Sequence, residues 1–188
     1  MGNLNSLPAN LPRPVDDGGA AHLLGMTLPG IGLPSTQDQP VDLLSISGFL
    51  VLYFYPMTGR PGTPLPQGWE QIPGARGCTP QSCSFRDHYR ELQELGATVY
   101  GISTQTSEYQ QEAAERLLLP FALLSDADLS LTKALSLPTF DVEGKRLIKR
   151  LTLIIRNGTI VKVFYPVFPP DRNADDVIQW LGDHRQPA

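Results

Sequence analysis

The chain has 188 residues, of which 41% are hydrophobic and 18% charged, and its formal net charge is −4. This balance excludes an intrinsically disordered chain, and it disfavours a nucleic-acid binder, which needs a concentrated basic surface. The longest apolar run, at 49–55, stops at Pro56 and is far shorter than the roughly 20 residues that span a bilayer, so we expect no membrane segment.

The N-terminal segment shows no helical or strand periodicity. Residues 1–19 are rich in Pro, Gly and Asn and lack both the basic and the apolar region of a secretory signal. We therefore predict a flexible arm over 1–19, one domain over 20–188, and a cytoplasmic protein. Two cysteines in a chain of this size also indicate that disulfides do not hold the fold together.

A buried strand and a long loop follow the arm. Short apolar pieces among Gly, Pro, Ser and Thr predict small strands and turns over 22–48. The continuous apolar and aromatic run at 49–55 predicts a strand buried on both faces, as in the centre of a sheet. The segment 56–77 contains five prolines and five glycines, which permit neither a helix nor a strand, and it is predicted to be a loop.

Helices and strands alternate over the rest of the chain. Pro80 suits the first turn of a helix and Gly96 its end, so we predict one helix over 78–95. Asn157-Gly158 is a strong hairpin signal. Pro138, in Pro138-Thr139-Phe140, is interpreted as a plain loop proline and not as a cis-proline that faces the cysteines. The other predicted elements are strands at 97–102, 121–124, 151–155 and 159–164 and helices at 107–118, 129–137 and 173–181. This order predicts an α/β fold, a three-layer sandwich in which helices flank a mixed sheet.

The two cysteines are the first residues that suggest chemistry. Cys78 is expected where the long loop meets the N-terminus of a helix, whose free N–H groups favour a thiolate, the reactive form of cysteine. On an intact helix, the Cα atoms of Cys78 and Cys83 would be roughly 8–9 Å apart, whereas a disulfide tolerates about 7 Å at most. A disulfide between them therefore requires the first helical turn to unwind. The spacing leaves two other states open: reduced cysteines that never meet, or a static disulfide in a segment that is not helical.

Other uses of these cysteines fit the sequence less well. A structural zinc site needs four Cys or His ligands at regular spacing, and of His22, His88 and His184 only His88 lies near the cysteines. The Cys-x-x-Cys motif of disulfide reductases is absent. A Cys–His pair for acyl transfer has no accompanying nucleophile motif. We predict neither a metal nor another cofactor.

Five sequence blocks, in order, resemble the peroxiredoxins, and most of all the peroxiredoxin Q or bacterioferritin-comigratory-protein group. They are YFYP at 53–56, GCTPQSCSFRD at 77–87, VYGIS at 99–103, LLSD at 123–126 and RLTLII at 150–155. The resemblance extends from about residue 20 to residue 182, which is most of the chain. It implies a thioredoxin-like fold that reduces hydroperoxides through a cysteine thiolate.

The resemblance implies roles for three residues. Cys78 matches the peroxidatic cysteine, which attacks the O–O bond and becomes a sulfenic acid. Cys83 matches the resolving cysteine, which condenses with that sulfenic acid to an intramolecular disulfide. Arg150 matches the arginine that holds the thiolate and orients the peroxide, although by residue type alone it would be a surface cation. The implied partners are a small hydroperoxide and thioredoxin or a similar dithiol, with the chain a monomer or a weak homodimer.

The loop before Cys78 departs from the family pattern Pro-x-x-x-Thr/Ser-x-x-Cys. Ala75 stands at the position of the hydroxyl residue, and Gln71 at the position of the proline. Pro56 lies 22 positions before Cys78 rather than seven, which corresponds to an insertion of 15 residues.

Residues of the inserted loop could compensate for these changes. The candidates are Thr58 or Thr63 for the hydroxyl group and Arg60 or Arg76 for added charge. Trp69 and Ile72 indicate that the loop packs against the body, because such side chains are seldom exposed. Three possibilities stay open for the insertion: a changed substrate, a lost peroxidase activity, or a surface excursion without a role.

The predicted function is that of a thiol-dependent peroxidase, a thioredoxin-dependent peroxiredoxin that reduces hydrogen peroxide and organic hydroperoxides. The alternative is a non-enzymatic redox sensor that uses the same Cys78–Cys83 disulfide to alter a partner-binding surface. An enzyme consumes many peroxides per chain, whereas a sensor need only be oxidised once. A copper chaperone of similar fold would need Cys-x-x-x-Cys and a distant histidine, and the spacing here does not fit.

Overall fold

The computed structural model describes residues 7–8 and 10–184 of the chain. The strands are β1 (Gly32–Leu33), β2 (Val41–Asp42), β3 (Phe49–Phe54), β4 (Ala97–Ser103), β5 (Leu123–Ser125), β6 (Thr139–Val142), β7 (Lys145–Ile148), β8 (Leu151–Arg156) and β9 (Thr159–Phe164). The helices are α1 (Cys78–Asp87), α2 (Tyr89–Glu94), α3 (Ser107–Arg116), α4 (Ser130–Leu135) and α5 (Asn173–Asp183). Short 3₁₀ turns lie at Leu43–Ser45, Trp69–Gln71 and Pro170–Arg172.

The central sheet has the strand order β5-β4-β3-β8-β9. Strands β3, β4 and β5 run parallel, whereas β8 is antiparallel to both β3 and β9. All six residues of β3 are buried, as expected for a strand covered on both faces. The predicted central strand, the mixed sheet and the hairpin at Asn157-Gly158 are therefore confirmed.

Helices and loops cover both faces of the sheet. Leu50, Leu52 and Phe54 face a core that also contains residues of the segment before β3 and of α4. Alternate residues of β3, such as Val51 and Tyr53, face a second core that contains residues of α1, α2 and α5. The layers are those of the predicted three-layer sandwich. None of the helices in the described part of the chain is long and apolar enough to cross a membrane.

The prediction of one helix over 78–95 is wrong, because the segment forms two helices that meet at His88. The backbone of His88 is non-helical, with φ −100° and ψ 8°. Its ring lies between two carboxylates, with Nδ1 3.3 Å from Glu91 Oε2 and Nε2 3.3 Å from Asp175 Oδ1. Phe85 and Leu92, on either side of the break, are fully buried. Tertiary packing therefore bends the segment at a position where no Pro or Gly marks a break.

Pro138 lies in a loop and no cis peptide bond precedes it, as predicted, but the strand that begins directly after it was not predicted. Thr139 and Phe140 begin β6, which pairs with β7 in an antiparallel hairpin. The turn is formed by Glu143 and Gly144, which both have positive φ angles, 47° and 75°. This is the geometry of a two-residue hairpin turn. Glutamate is uncommon at such a position, and the sequence signal was correspondingly weak.

The insertion before Cys78, here the loop at residues 57–76, packs against this hairpin and forms a third apolar cluster with it. Trp69 and Ile72 predicted that this loop packs against the body. Its members are Met57, Leu65, Trp69, Ile72 and Ala75 from the loop and Phe140, Val142 and Leu147 from the hairpin. Trp69 is 4% exposed. The insertion is therefore a packed part of the fold.

Part of the predicted N-terminal arm lies against the body. The Asp17 carboxylate accepts hydrogen bonds from Lys149 Nζ at 2.6 Å and from the Tyr165 hydroxyl at 2.7 Å. The Arg13 guanidinium lies 5.4 Å from the centre of the Phe168 ring. Residues 1–6 and 9 of the arm lie outside the described residues, and the boundary between arm and domain stays a prediction.

Candidate active site

Cys78 is the first residue of α1, and glycine determines the path of the backbone that precedes it. Gly77 has a φ of 109°, which favours glycine, and a Cβ atom there would lie 2.3 Å from Pro170 Cγ. Cys78 is 4% exposed, and its thiol donates to the carbonyl oxygen of Ala75 at 3.6 Å. The sulfur thus lies at a helix N-terminus, where the helix dipole favours a negative charge.

Arg150 lies directly beside the sulfur. Its Nη2 donates to Cys78 Sγ at 3.2 Å, and also to the carbonyl oxygens of Ala75 and Arg76, each at 3.2 Å, and of Gly74 at 3.3 Å. Arg150 is 3% exposed and precedes β8, which hydrogen-bonds directly to β3. It is therefore not the surface cation that residue type alone would suggest, and the guanidinium joins the sulfur to the loop before it.

A buried polar network holds Arg150 from the other side. Arg150 Nη1 donates to Gln81 Oε1, and Gln81 Nε2 donates to Asn173 Oδ1 at 2.9 Å. The Thr152 hydroxyl donates to the same Asn173 oxygen at 2.7 Å. Gln81, Thr152 and Asn173 are all fully buried. Each link fixes the next, so these three residues position the guanidinium.

The sequence analysis missed this network. Gln81 lies three residues after Cys78, a spacing that places both on one face of a helix, and this spacing is the signal that could have found it. Thr152 and Asn173 come from β8 and from the start of α5. They meet Gln81 only through the tertiary fold, and no local pattern marks them.

Cys83 lies on the same helix as Cys78, five residues further along, and both cysteines are free thiols. Burial raises the pKa of the half-buried Cys83 thiol, while the nearby guanidinium groups of Arg86 and Arg116 oppose that rise. An intact helix keeps the Cα atoms of two residues at this spacing too far apart for a disulfide, as estimated from the sequence. A bond between the cysteines would require α1 to unwind.

The hypothesis that Thr58 or Thr63 supplies a hydroxyl group to Cys78 is wrong. The Thr58 hydroxyl donates to Gln105 Oε1 at 3.1 Å, and Thr63 is exposed. Neither residue lines the small cavity at Cys78. The threonine that does line it is Thr79, which the sequence analysis overlooked and which is 3% exposed.

The two arginines proposed to add charge occupy different places. Arg60 lies 4.0 Å from the centre of the Tyr109 ring and donates to the carbonyl oxygens of Glu108 and Tyr109. Arg76 is buried and lines the cavity at Cys78. Of the two, Arg76 is therefore the one that lies at the cavity of the cysteine.

The histidines are engaged away from the cysteines. His22 Nε2 donates to the Leu135 carbonyl at 2.9 Å, and the His184 ring stacks on Trp180 with 3.9 Å between ring centres. His88 contacts two carboxylates, as described above. Within residues 7–8 and 10–184, no three His, Cys, Asp or Glu side chains are grouped so that they could hold a metal ion.

The chain is similar to known proteins over most of its length. A family model described as Redoxin matches residues 23–178. Peroxiredoxin Q of Sedum lineare is 32% identical over 158 residues, which is 84% of this chain and 76% of that protein. Peroxiredoxin Bcp of Escherichia coli is 31% identical over 169 residues, 85% of this chain and 96% of that protein.

A solved structure of a related protein has a similar fold. The crystal structure of peroxidoxin BcpB from Mycobacterium tuberculosis superposes with a TM-score of 0.71 at 29% identity, covering 87% of this chain and 98% of that one. The thioredoxin-like fold is thereby confirmed. The chain belongs to the redoxin family and, within it, to the peroxiredoxins of the Q and Bcp group, which are oxidoreductases acting on peroxides.

Proposed function

We propose that Cys78 is the residue that reduces the peroxide, assisted by Arg150. The observation that carries this proposal is the 3.2 Å hydrogen bond from Arg150 Nη2 to Cys78 Sγ at the N-terminus of α1. A guanidinium and a helix N-terminus both stabilise a thiolate, which is the nucleophilic form of cysteine. The same guanidinium can stabilise the negative charge that develops on the peroxide oxygens.

The proposed first step is a nucleophilic displacement at oxygen. The Cys78 thiolate attacks one peroxide oxygen, an S–O bond forms, and the O–O bond breaks. The leaving oxygen takes the electron pair of that bond and a proton, and departs as water or an alcohol. Cys78 becomes a sulfenic acid, so the sulfur is oxidised and the peroxide is reduced.

The proposed second step joins the two cysteines. The Cys83 thiol attacks the Cys78 sulfenic acid, the S–S bond forms, and the sulfenic oxygen leaves as water. This step requires the first turn of α1 to unwind, for the geometric reason given above. A thioredoxin-type dithiol then reduces the disulfide by thiol–disulfide exchange.

Intact-mass analysis tests these assignments. The fully reduced protein is measured before and after a slight excess of hydrogen peroxide, together with the Cys83→Ser and Cys78→Ser variants. We expect the wild type to lose two hydrogens, Cys83→Ser to gain one oxygen, and Cys78→Ser to be unchanged under these conditions. An oxygen gained by Cys78→Ser instead of Cys83→Ser would reverse the roles of the cysteines, and three unchanged masses would overturn the proposal.

Turnover distinguishes the enzyme from a sensor. With thioredoxin, its reductase and NADPH present, we expect many peroxides to be consumed per chain. Consumption of one peroxide per chain would favour the sensor. A cytoplasmic location and a monomeric or weakly dimeric state remain our predictions; the names of the plant relatives assign those proteins to chloroplasts.

A further inference from the structure

The space at the reactive sulfur is small. The cavity that contains Cys78 has a volume of about 20 Å³. A water molecule needs roughly 10–15 Å³ of such space, so the cavity admits one or two groups of the size of an oxygen atom. Met57, Leu65 and Trp69 of the insertion line it, and we call these three side chains the wall; Arg76 and Thr79 also line it.

The wall formed by the insertion is fixed in place at several points. Thr58, at its start, exchanges hydrogen bonds with the Gln105 side chain at 2.8 Å and 3.1 Å. In its middle, the backbone N–H of Gln67 donates to Glu143 Oε1 at 2.9 Å. The buried Trp69 packs beside Phe140 of β6, with 6.3 Å between ring centres. The wall is therefore continuous with the apolar cluster that the loop shares with the hairpin.

A larger cavity lies nearby but does not reach the sulfur. It has a volume of about 370 Å³, within the usual range of ligand pockets, and it is lined by Gly74, Arg150, Ile72 and Phe140 among others. Cys78 is not among its lining residues. A bulky molecule in this cavity would contact Arg150 and also Gly74 of the active-site loop, residues 74–77, but not Cys78.

We propose that the insertion, through Trp69 and Leu65, makes hydrogen peroxide the substrate of Cys78 and excludes hydroperoxides with bulky carbon groups. This inference rests on the proposed function and narrows it, since the family resemblance also led us to expect organic hydroperoxides. Both oxygens of hydrogen peroxide fit the cavity beside the sulfur. This volume leaves no room inside the cavity, beside Trp69, for a tertiary carbon or an aromatic ring bonded to the second oxygen.

The test compares oxidation rates of the reduced protein with hydrogen peroxide and with cumene hydroperoxide, by rapid quenching with an alkylating reagent and intact mass. For the wild type, we expect the rate constant with cumene hydroperoxide to be about a hundredfold lower. Trp69→Ala should raise the ratio of the cumene rate to the hydrogen peroxide rate about tenfold. Ile72→Ala is the matched control, because Ile72 belongs to the same apolar cluster but lines the larger cavity; it should leave the ratio unchanged.

The outcomes separate this proposal from the proposed function. Equal wild-type rates with both peroxides would overturn the size restriction while leaving the peroxidase intact. An unchanged ratio in folded Trp69→Ala would overturn the role of the wall. If that variant does not fold, Leu65→Ala, which removes a half-buried side chain from the same cavity, decides the question by the same ratio. Failure of both peroxides to oxidise Cys78 would overturn the proposed function, and this inference with it.

Discussion

Arg150 is the residue on which the candidate site depends most. Its two terminal nitrogens contact different partners: Nη1 donates to Gln81, while Nη2 reaches Cys78 Sγ and the carbonyls of the active-site loop. The planar guanidinium can do both at once because its donors point in fixed, diverging directions. A lysine ammonium has the same charge but cannot reproduce this arrangement.

We expect Arg150→Lys to slow the oxidation of Cys78 by hydrogen peroxide by about a hundredfold, the usual loss when one transition-state donor is removed. Alkylation of the same thiol by iodoacetamide should slow less, because that reaction needs the thiolate but no donor to peroxide oxygens. Both rates are measured by quenched intact mass. Arg146→Lys is the control, because Arg146 is exposed and pairs with Asp141 away from the sulfur. Equal losses in both reactions would mean that Arg150 stabilises the thiolate but does not donate to the peroxide oxygens.

The residues of the site differ in how far the sequence could reveal them. Cys78 was found from the loop that precedes it and from the helix start, which are local signals. Arg150 required the family resemblance, because an arginine in a basic stretch looks like a surface residue. No local pattern marks Thr152 and Asn173, since ordinary polar residues come to support a candidate site only where the fold brings them together.

Helix α1 is the element that has to change during the proposed reaction, because it carries both cysteines. The folded helix buries the Cys83 thiol and raises its pKa. A group with a raised pKa contributes stability that is fully present below its unfolded value and is lost as the pH rises through the folded value. Ionisation of Cys83 therefore favours states in which this part of α1 is unwound.

We expect the stability contribution of Cys83 to decline in alkaline solution. The measurement is urea unfolding of Cys78→Ser and of Cys78→Ser/Cys83→Ser over a range of pH, so that neither protein forms the disulfide. The free energy of unfolding of the single variant should fall relative to that of the double variant above about pH 9, the usual value for the thiol. Parallel curves would show that Cys83 does not couple its ionisation to folding.

The elements were predictable where a local pattern defined them. The run at 49–55 predicted β3, and the Asn157-Gly158 turn predicted the β8–β9 hairpin. The break at His88 and the β6–β7 hairpin were missed, because one depends on packing against α5 and the other on an uncommon turn residue. The missed hairpin matters for function, since it is the surface against which the insertion packs.

At the scale of the whole molecule, three segments distant in sequence converge on the active-site loop. The insertion and the β6–β7 hairpin share an apolar cluster at one side of it. The N-terminal arm approaches from another direction, so that a Cβ atom on Gly74 would lie 3.5 Å from Pro14. The arm is held at this place through Asp17, which bonds Lys149 and Tyr165 just outside the site.

We expect Asp17→Asn to loosen the arm while leaving the rest of the fold intact. The measurement is amide hydrogen exchange, which should quicken in 10–19 and in the active-site loop at 74–77. The free energy of unfolding should change by less than about 1 kcal/mol, because the lost ion pair is exposed. Asp16→Asn is the matched control: the Asp16 carboxylate accepts a hydrogen bond from the Gly18 amide, and its replacement should leave exchange in the loop unchanged.

The contacts of Asp17 with Lys149 and Tyr165 are expected to weaken in acid. Hydrogen bonds from Lys149 and Tyr165, and from the Gly19 amide, hold the pKa of the Asp17 carboxyl well below its usual range. A carboxylate with a lowered pKa contributes stability above the unfolded value, and this is lost as the pH falls through the folded value. The difference in exchange between the wild type and Asp17→Asn should therefore be constant near neutral pH and shrink below about pH 4, because the carboxyl of a detached arm accepts its proton there while the bound carboxyl does so only at lower pH. A difference that persists unchanged in strong acid would mean that packing of the arm, and not the charge of Asp17, holds it over the active-site loop.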